Sequence, residues 1–132
     1  MKITADTNVL VRAPTGDHRS QSNAAQTVLD KATLVALPIP ALCELVWVLS
    51  QGYKTPPRNV AEAIRRLIDS ANVVVNRAAA EAGLELLDAG GDFADGVIAS
   101  EGNWLGADCY LSLDKKAVKL IAQQGGSARL LG

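Results

Sequence analysis

The sequence predicts an α/β fold in which a mainly parallel sheet is covered by helices on both faces, a three-layer α/β/α sandwich. Three observations predict it. Short apolar runs recur along the chain, at Ile3–Ala5, Leu34–Leu37, Asn72–Val75 and within Asp108–Leu113. The segments between them carry apolar residues at helical spacing. No linker or low-complexity stretch interrupts the alternation, so the 132 residues are expected to form one domain around one core. Strands that alternate with helices are joined by right-handed crossovers, which make the sheet parallel and place sites beyond the carboxyl ends of its strands.

Taken in order, Ile3–Ala5 is the first strand, and Asn8–Arg12 opens a helix that the turn residues Pro14-Thr15-Gly16-Asp17 should break. Ser22 is the expected N-cap of the next helix, where Ala25, Val28 and Leu29 recur at helical spacing. Leu34–Leu37 is the second strand, ended by Pro38 and Pro40. A helix over about residues 40–51 follows, with Leu42, Leu45, Val46 and Leu49 on one face and Gly52 as its stop. Pro56-Pro57 leads into a helix bearing Val60, Ile64, Leu67 and Ile68. Asn72–Val75 is the third strand, and the alanine-rich Arg77–Leu87 is helical up to Gly90-Gly91. Asp92 caps a helix from Phe93 to about Trp104. Asp108–Leu113 is the fourth strand, Asp114 caps the helix holding Val118 and Ile121, and Ala128–Leu131 is a fifth strand.

Composition narrows the functional classes. Hydrophobic residues at 48% with 20% charged describe an ordinary globular chain rather than a disordered one. No apolar stretch approaches the roughly 20 residues that span a bilayer, and no basic leader precedes an apolar run, so a cytoplasmic protein is expected. Cys43 and Cys109 lack CxxC spacing and lie in apolar runs, which suits reduced, buried, structural thiols. A net charge of −1 argues against holding nucleic acid by bulk positive charge. A local basic rim could still come from Arg12, His18, Arg19, Lys115, Lys116 and Lys119, although solvated surface charge explains them as simply.

The chemistry lies in the acids. Asp6, Glu44, Asp95 and Asp114 each stand beside an apolar run, and the first three have no Lys or Arg next to them. Buried acids are costly unless a positive charge neutralises them, and Mg²⁺ or Mn²⁺ could do so for several at once. Asp6 and Asp114 directly follow expected strands. Asp92 and Asp95 are neighbours on one helix face, and capping alone would account for Asp92. Capping would also serve for Asp6 and Asp114, and a solvated face for Glu44. Thr7 and Asn8 could orient Asp6 or hold a water. No GxxxxGK[ST] loop and no Ser/His/Asp arrangement is present.

Four segments together resemble the PIN-domain nucleases, most closely the VapC-type toxins of bacterial toxin–antitoxin pairs. They are Ala5-Asp6-Thr7-Asn8-Val9-Leu10-Val11-Arg12, Pro40-Ala41-Leu42-Cys43-Glu44-Leu45-Val46-Trp47-Val48-Leu49, Gly91-Asp92-Phe93-Ala94-Asp95-Gly96-Val97-Ile98-Ala99 and Leu113-Asp114-Lys115-Lys116. The resemblance implies an endoribonuclease dependent on Mg²⁺ or Mn²⁺, hydrolysing RNA by a metal-activated water. Carried over by position, Asp6, Glu44, Asp95 and Asp114 match the acidic pocket, with Asp92 as a supporting ligand and Thr7 and Asn8 beside the first aspartate. Two features depart from the pattern. Gly96 stands where the group often has alanine, which should loosen the helix by roughly 1 kcal/mol, and Glu101-Gly102-Asn103-Trp104 replaces an alanine-rich stretch.

The resemblance also implies a homodimer and a cognate VapB-like antitoxin whose tail places an arginine among the acids; operator DNA would be reached only through that antitoxin. Trp47, Leu49 and Tyr53 are candidate apolar contacts, with helix-packing core the simpler account of Trp47 and Leu49. Trp104 is expected to be partly exposed. Alternatives are a PIN-type RNA-processing nuclease without a toxin role, and a non-catalytic regulatory partner that binds the antitoxin. A phosphatase is disfavoured because Asp6-Thr7-Asn8 lacks the second aspartate that one such class uses as general acid.

Overall fold

The structure is a computed structural model that describes residues 1–15 and 19–132. It divides into two compact units, Met1–Asn76 and Arg77–Gly132. His18 and the Gly16-Asp17 part of the expected turn lie outside the described residues.

In the first unit, β1 (Lys2–Thr4), β2 (Leu34–Leu37) and β3 (Val73–Val75) form a parallel sheet in the order β1-β2-β3, with Ile3 opposite Val35 and Val35 opposite Val73. The centre strand is the most buried: Val35 and Leu37, on one face, are fully buried, and Leu34 and Ala36, on the other, are half-buried. The helices are α1 (Thr7–Thr15), α2 (Arg19–Lys31), α3 (Ile39–Trp47) and α4 (Pro57–Ile68). Most of the residues that the periodicity marks face inward: Leu42, Leu45, Val46 and Leu49, then Val60, Ile64 and Ile68, are buried, whereas Leu29 and Leu67 are half-buried and Val28 is exposed. The proline pairs act as expected. Pro38 precedes α3 with Pro40 in its first turn, and Pro56 precedes α4 with Pro57 at its first position.

Several details differ from expectation. α1 runs to Thr15, through the Pro14 expected to break it. Ser22 does not cap α2 but lies inside it, buried, and its hydroxyl donates to the Arg12 carbonyl at 2.6 Å, tying α2 to α1. The helix expected to run to residue 51 ends at Trp47 and continues as a π-helical turn, Val48–Gly52, closed by Tyr53 N–H donating to the Val48 carbonyl. Trp47 is no core residue: it is 67% exposed, while Leu49, on the apolar stripe, is 6% exposed.

In the second unit, α5 (Arg77–Asp88) and α6 (Phe93–Trp104) pack together, followed by β4 (Tyr110–Ser112), α7 (Lys115–Gln123) and β5 (Ala128–Leu130). β4 and β5 pair in parallel, Tyr110 opposite Ala128. Leu86, Leu120 and Ile121 form a buried cluster on which Ala99, Tyr110 and Ala128 pack. The α5–α6 approach is close enough to exclude side chains at two glycines. A Cβ on Gly83 would meet the Phe93 ring at 2.7 Å, and one on Gly96 would meet the α5 backbone. The α/β class and the parallel pairing are therefore as the sequence predicts. Among the described residues no helix is long and apolar enough to cross a membrane. Neither cysteine forms a disulfide, and both are half-buried rather than fully buried.

Candidate functional site

The first unit holds two of the acids on a single residue. β1 ends at Thr4, Ala5 turns inward, and the chain enters α1 with the Asp6 carbonyl accepting from Val9 and Leu10 N–H. Asp6 Oδ1 accepts from Thr7 N–H at 2.8 Å. Thr7 is 7% exposed, and its hydroxyl donates to Glu44 Oε2, also at 2.8 Å. Thr7 thus grips Asp6 with its backbone and Glu44 with its side chain. Glu44 can reach it because α3 turns about 100° per residue, which buries Leu42 and Leu45 and leaves Glu44 exposed. Asn8 is exposed.

Replacing Thr7 by Val keeps the side-chain shape and deletes the donor. Stability is expected to fall by about 1 kcal/mol, and this loss should vanish in a Glu44→Ala background. Urea unfolding of the four proteins measures the coupling.

The second unit places three acids at helix starts. Asp92 is the N-cap of α6, accepting from Ala94 N–H at 3.2 Å. Asp95 lies in the first turn of α6. Asp114 is the N-cap of α7, accepting from Lys116 N–H at 2.9 Å and Ala117 N–H at 3.2 Å. Each favours its helix dipole.

Burial corrects one premise. Asp6, Glu44, Asp92 and Asp114 are exposed, because each points away from the buried residues that neighbour it in sequence. Only Asp95 is half-buried, and its proton is held more tightly than usual: burial raises its pKa, the Tyr110 hydrogen bond opposes this, and the charges of Asp92 and Asp114 add to the rise.

Tyr110 is the residue that sequence reasoning missed. Its hydroxyl donates to Asp95 Oδ1 at 2.9 Å. Its own pKa is pushed up to about 12 by burial, by that hydrogen bond and by the charges of Asp95 and Asp114, with Ser112 opposing. The available signal is strand alternation: Tyr110, Ser112 and Asp114 are spaced by two.

None of the five acids forms an ion pair with Lys or Arg among the described residues; Arg66 pairs with Glu62 and Arg77 with Glu81, on exposed helix faces. Neither unit by itself gathers three His, Cys, Asp or Glu side chains that could hold a metal ion, again among the described residues. The donor set nonetheless suits Mg²⁺ or Mn²⁺. All donors are hard carboxylate oxygens, and Mg²⁺ keeps most of its waters and needs only one or two carboxylates. The mutual repulsion felt at Asp95 is what a cation relieves. A cavity of about 630 Å³ in the first unit, lined by Leu10, Leu29, Val35, Leu45, Leu49 and Leu67 among others, contains none of these five acids.

Compared with known protein families, residues 3–102 match the PIN domain. Asp6, Glu44, Asp92 and Asp95 fall inside that match, and Asp114 lies beyond it. Among curated proteins no match is found.

Proposed function

The chain belongs to the PIN domain family, and from that premise we propose that it is a Mg²⁺- or Mn²⁺-dependent endoribonuclease, the toxin of a type II toxin–antitoxin pair. The family carries a nuclease-type fold and its members are generally nucleases, which supports a hydrolase. The observation that carries the finer reading is the set of carboxylates at the starts of α1, α6 and α7, with Glu44, that no Lys or Arg neutralises among the described residues.

In this reading Asp6, Glu44, Asp95 and Asp114 hold the cation, with Asp92 in support. When bound, the cation supplies Lewis acidity, lowering the pKa of an attacking water and offsetting charge on the phosphoryl oxygens. The chain's own residues keep the acids in place. Thr7 fixes Glu44 and Asp6, and the α7 amides fix one oxygen of Asp114. The toxin role is supported by the resemblance of four segments to VapC-type toxins. Its partners are RNA, a VapB-like antitoxin and a second copy of the chain, and the exposed Trp47 and Trp104 are apolar surfaces suited to protein contacts.

The test is cleavage of a mixed RNA pool by the purified protein, with Mn²⁺ or Mg²⁺ against EDTA, beside Asp6→Asn. Discrete cation-dependent cuts that the variant loses are expected. Cuts that persist in EDTA, or in Asp6→Asn, would overturn the metal role of this acid.

A further inference from the structure

In the second unit one strand, β4, hydrogen-bonds to two of the acids. Tyr110 donates to Asp95 Oδ1 at 2.9 Å, and two residues further along β4 Ser112 Oγ accepts from Asp114 N–H at 3.0 Å. The tyrosine is held at its other end as well. Its ring packs on the Leu86, Leu120 and Ile121 cluster, and β4 carries its backbone beside β5. A half-buried ring packed on that cluster and carried by a paired strand has restricted freedom, which holds its hydroxyl in place.

We infer that Tyr110 is the positioning residue for Asp95: its hydroxyl fixes one carboxylate oxygen and so sets the direction in which the other is offered to a divalent cation. Within its unit Asp95 has no other side-chain hydrogen bond, so Tyr110 alone defines the carboxylate's orientation there. Ser112, on the same strand, accepts from Asp114 N–H and ties the segment that leads into Asp114 to β4. Partners that orient a ligand in this way typically change metal affinity by about 10- to 100-fold when removed.

The inference rests on the reading of Asp95 as a cation-holding acid, and the test separates the two. Tyr110→Phe keeps the ring and deletes the hydroxyl. Calorimetric titration of the full chain with Mn²⁺, without RNA, should show affinity weakened by about 10-fold, with the melting temperature of the cation-free protein little changed. A second readout needs no Tyr110 substitution. Mn²⁺ should perturb the tyrosine absorbance of the wild type and of Tyr53→Phe, because the phenol donates to the carboxylate that receives the ion. A folded Tyr110→Phe that binds Mn²⁺ as the wild type does would overturn the inference and leave the nuclease reading standing. So would Mn²⁺ binding that leaves the wild-type tyrosine spectrum unchanged. A wild type that takes up no Mn²⁺ would remove both. Should Tyr110→Phe fail to fold, the wild-type spectrum decides.

Discussion

Asp95→Asn is expected to lower RNA cleavage at least about 100-fold while the metal-free protein melts no lower than the wild type. The two halves have one physical origin. Asp95 is the half-buried acid whose proton is held above the ordinary value of 3.8, chiefly through burial, with the Tyr110 hydrogen bond opposing and Asp92 and Asp114 adding to the rise. An acid that binds its proton more tightly folded than unfolded contributes its full stability below the unfolded pKa. That contribution is lost as pH rises through the folded pKa. The Asp95 contribution should therefore decline from 3.8 upward through its raised value, so that at neutral pH the ionised group opposes folding. Asparagine is neutral, nearly isosteric and still able to accept from Tyr110, so it lacks this decline but also lacks the charge a cation needs. Melting curves in EDTA from about pH 4 to about pH 8, set beside single-turnover cleavage, check both halves. A variant that melts well below the wild type, or one that cuts RNA at the normal rate, would sink the account.

The acids were legible in the sequence as residues, and their surroundings were not. Asp92 and Asp114 read as caps because short polar residues before helical runs cap helices, and both do so. The apolar neighbours of Asp6 and Glu44 suggested burial. Near a helix start or on a helix face, however, one residue's step reverses inside and outside, so exposed acids adjoin buried Ala5 and Leu45. Ser22 misled for a related reason: a serine before a helical run resembles a cap, and only the tertiary contact with the Arg12 carbonyl shows a buried serine inside the helix. The Asp95–Tyr110 bond spans 15 residues and two elements, and periodicity carries no information about such a meeting. The parallel strands were readable because short valine and leucine runs bounded by turn residues have few other uses.

The other large effect concerns a residue for which helix propensity gives the wrong sign. Gly96→Ala should gain about 1 kcal/mol from propensity, yet it is expected to destabilise the protein by about 2–3 kcal/mol. A Cβ at this position would lie 2.9 Å from both the Ala82 carbonyl carbon and the Gly83 Cα, with the Ala82 oxygen nearer still. Those atoms are α5 backbone and cannot rotate away as a side-chain tip could, so α6 would have to move off α5. The neighbouring Asp95 would move with it, and cleavage should fall along with stability. Glycine at 96, a departure that seemed only to loosen the helix, is thus what lets α5 and α6 approach. Gly102 supplies the contrast within the same helix: a Cβ there meets nothing within 4 Å, so Gly102→Ala should stabilise by up to about 1 kcal/mol. Urea unfolding of both variants measures the difference directly. If Gly96→Ala proved as stable as the wild type, the close α5–α6 approach would be wrong.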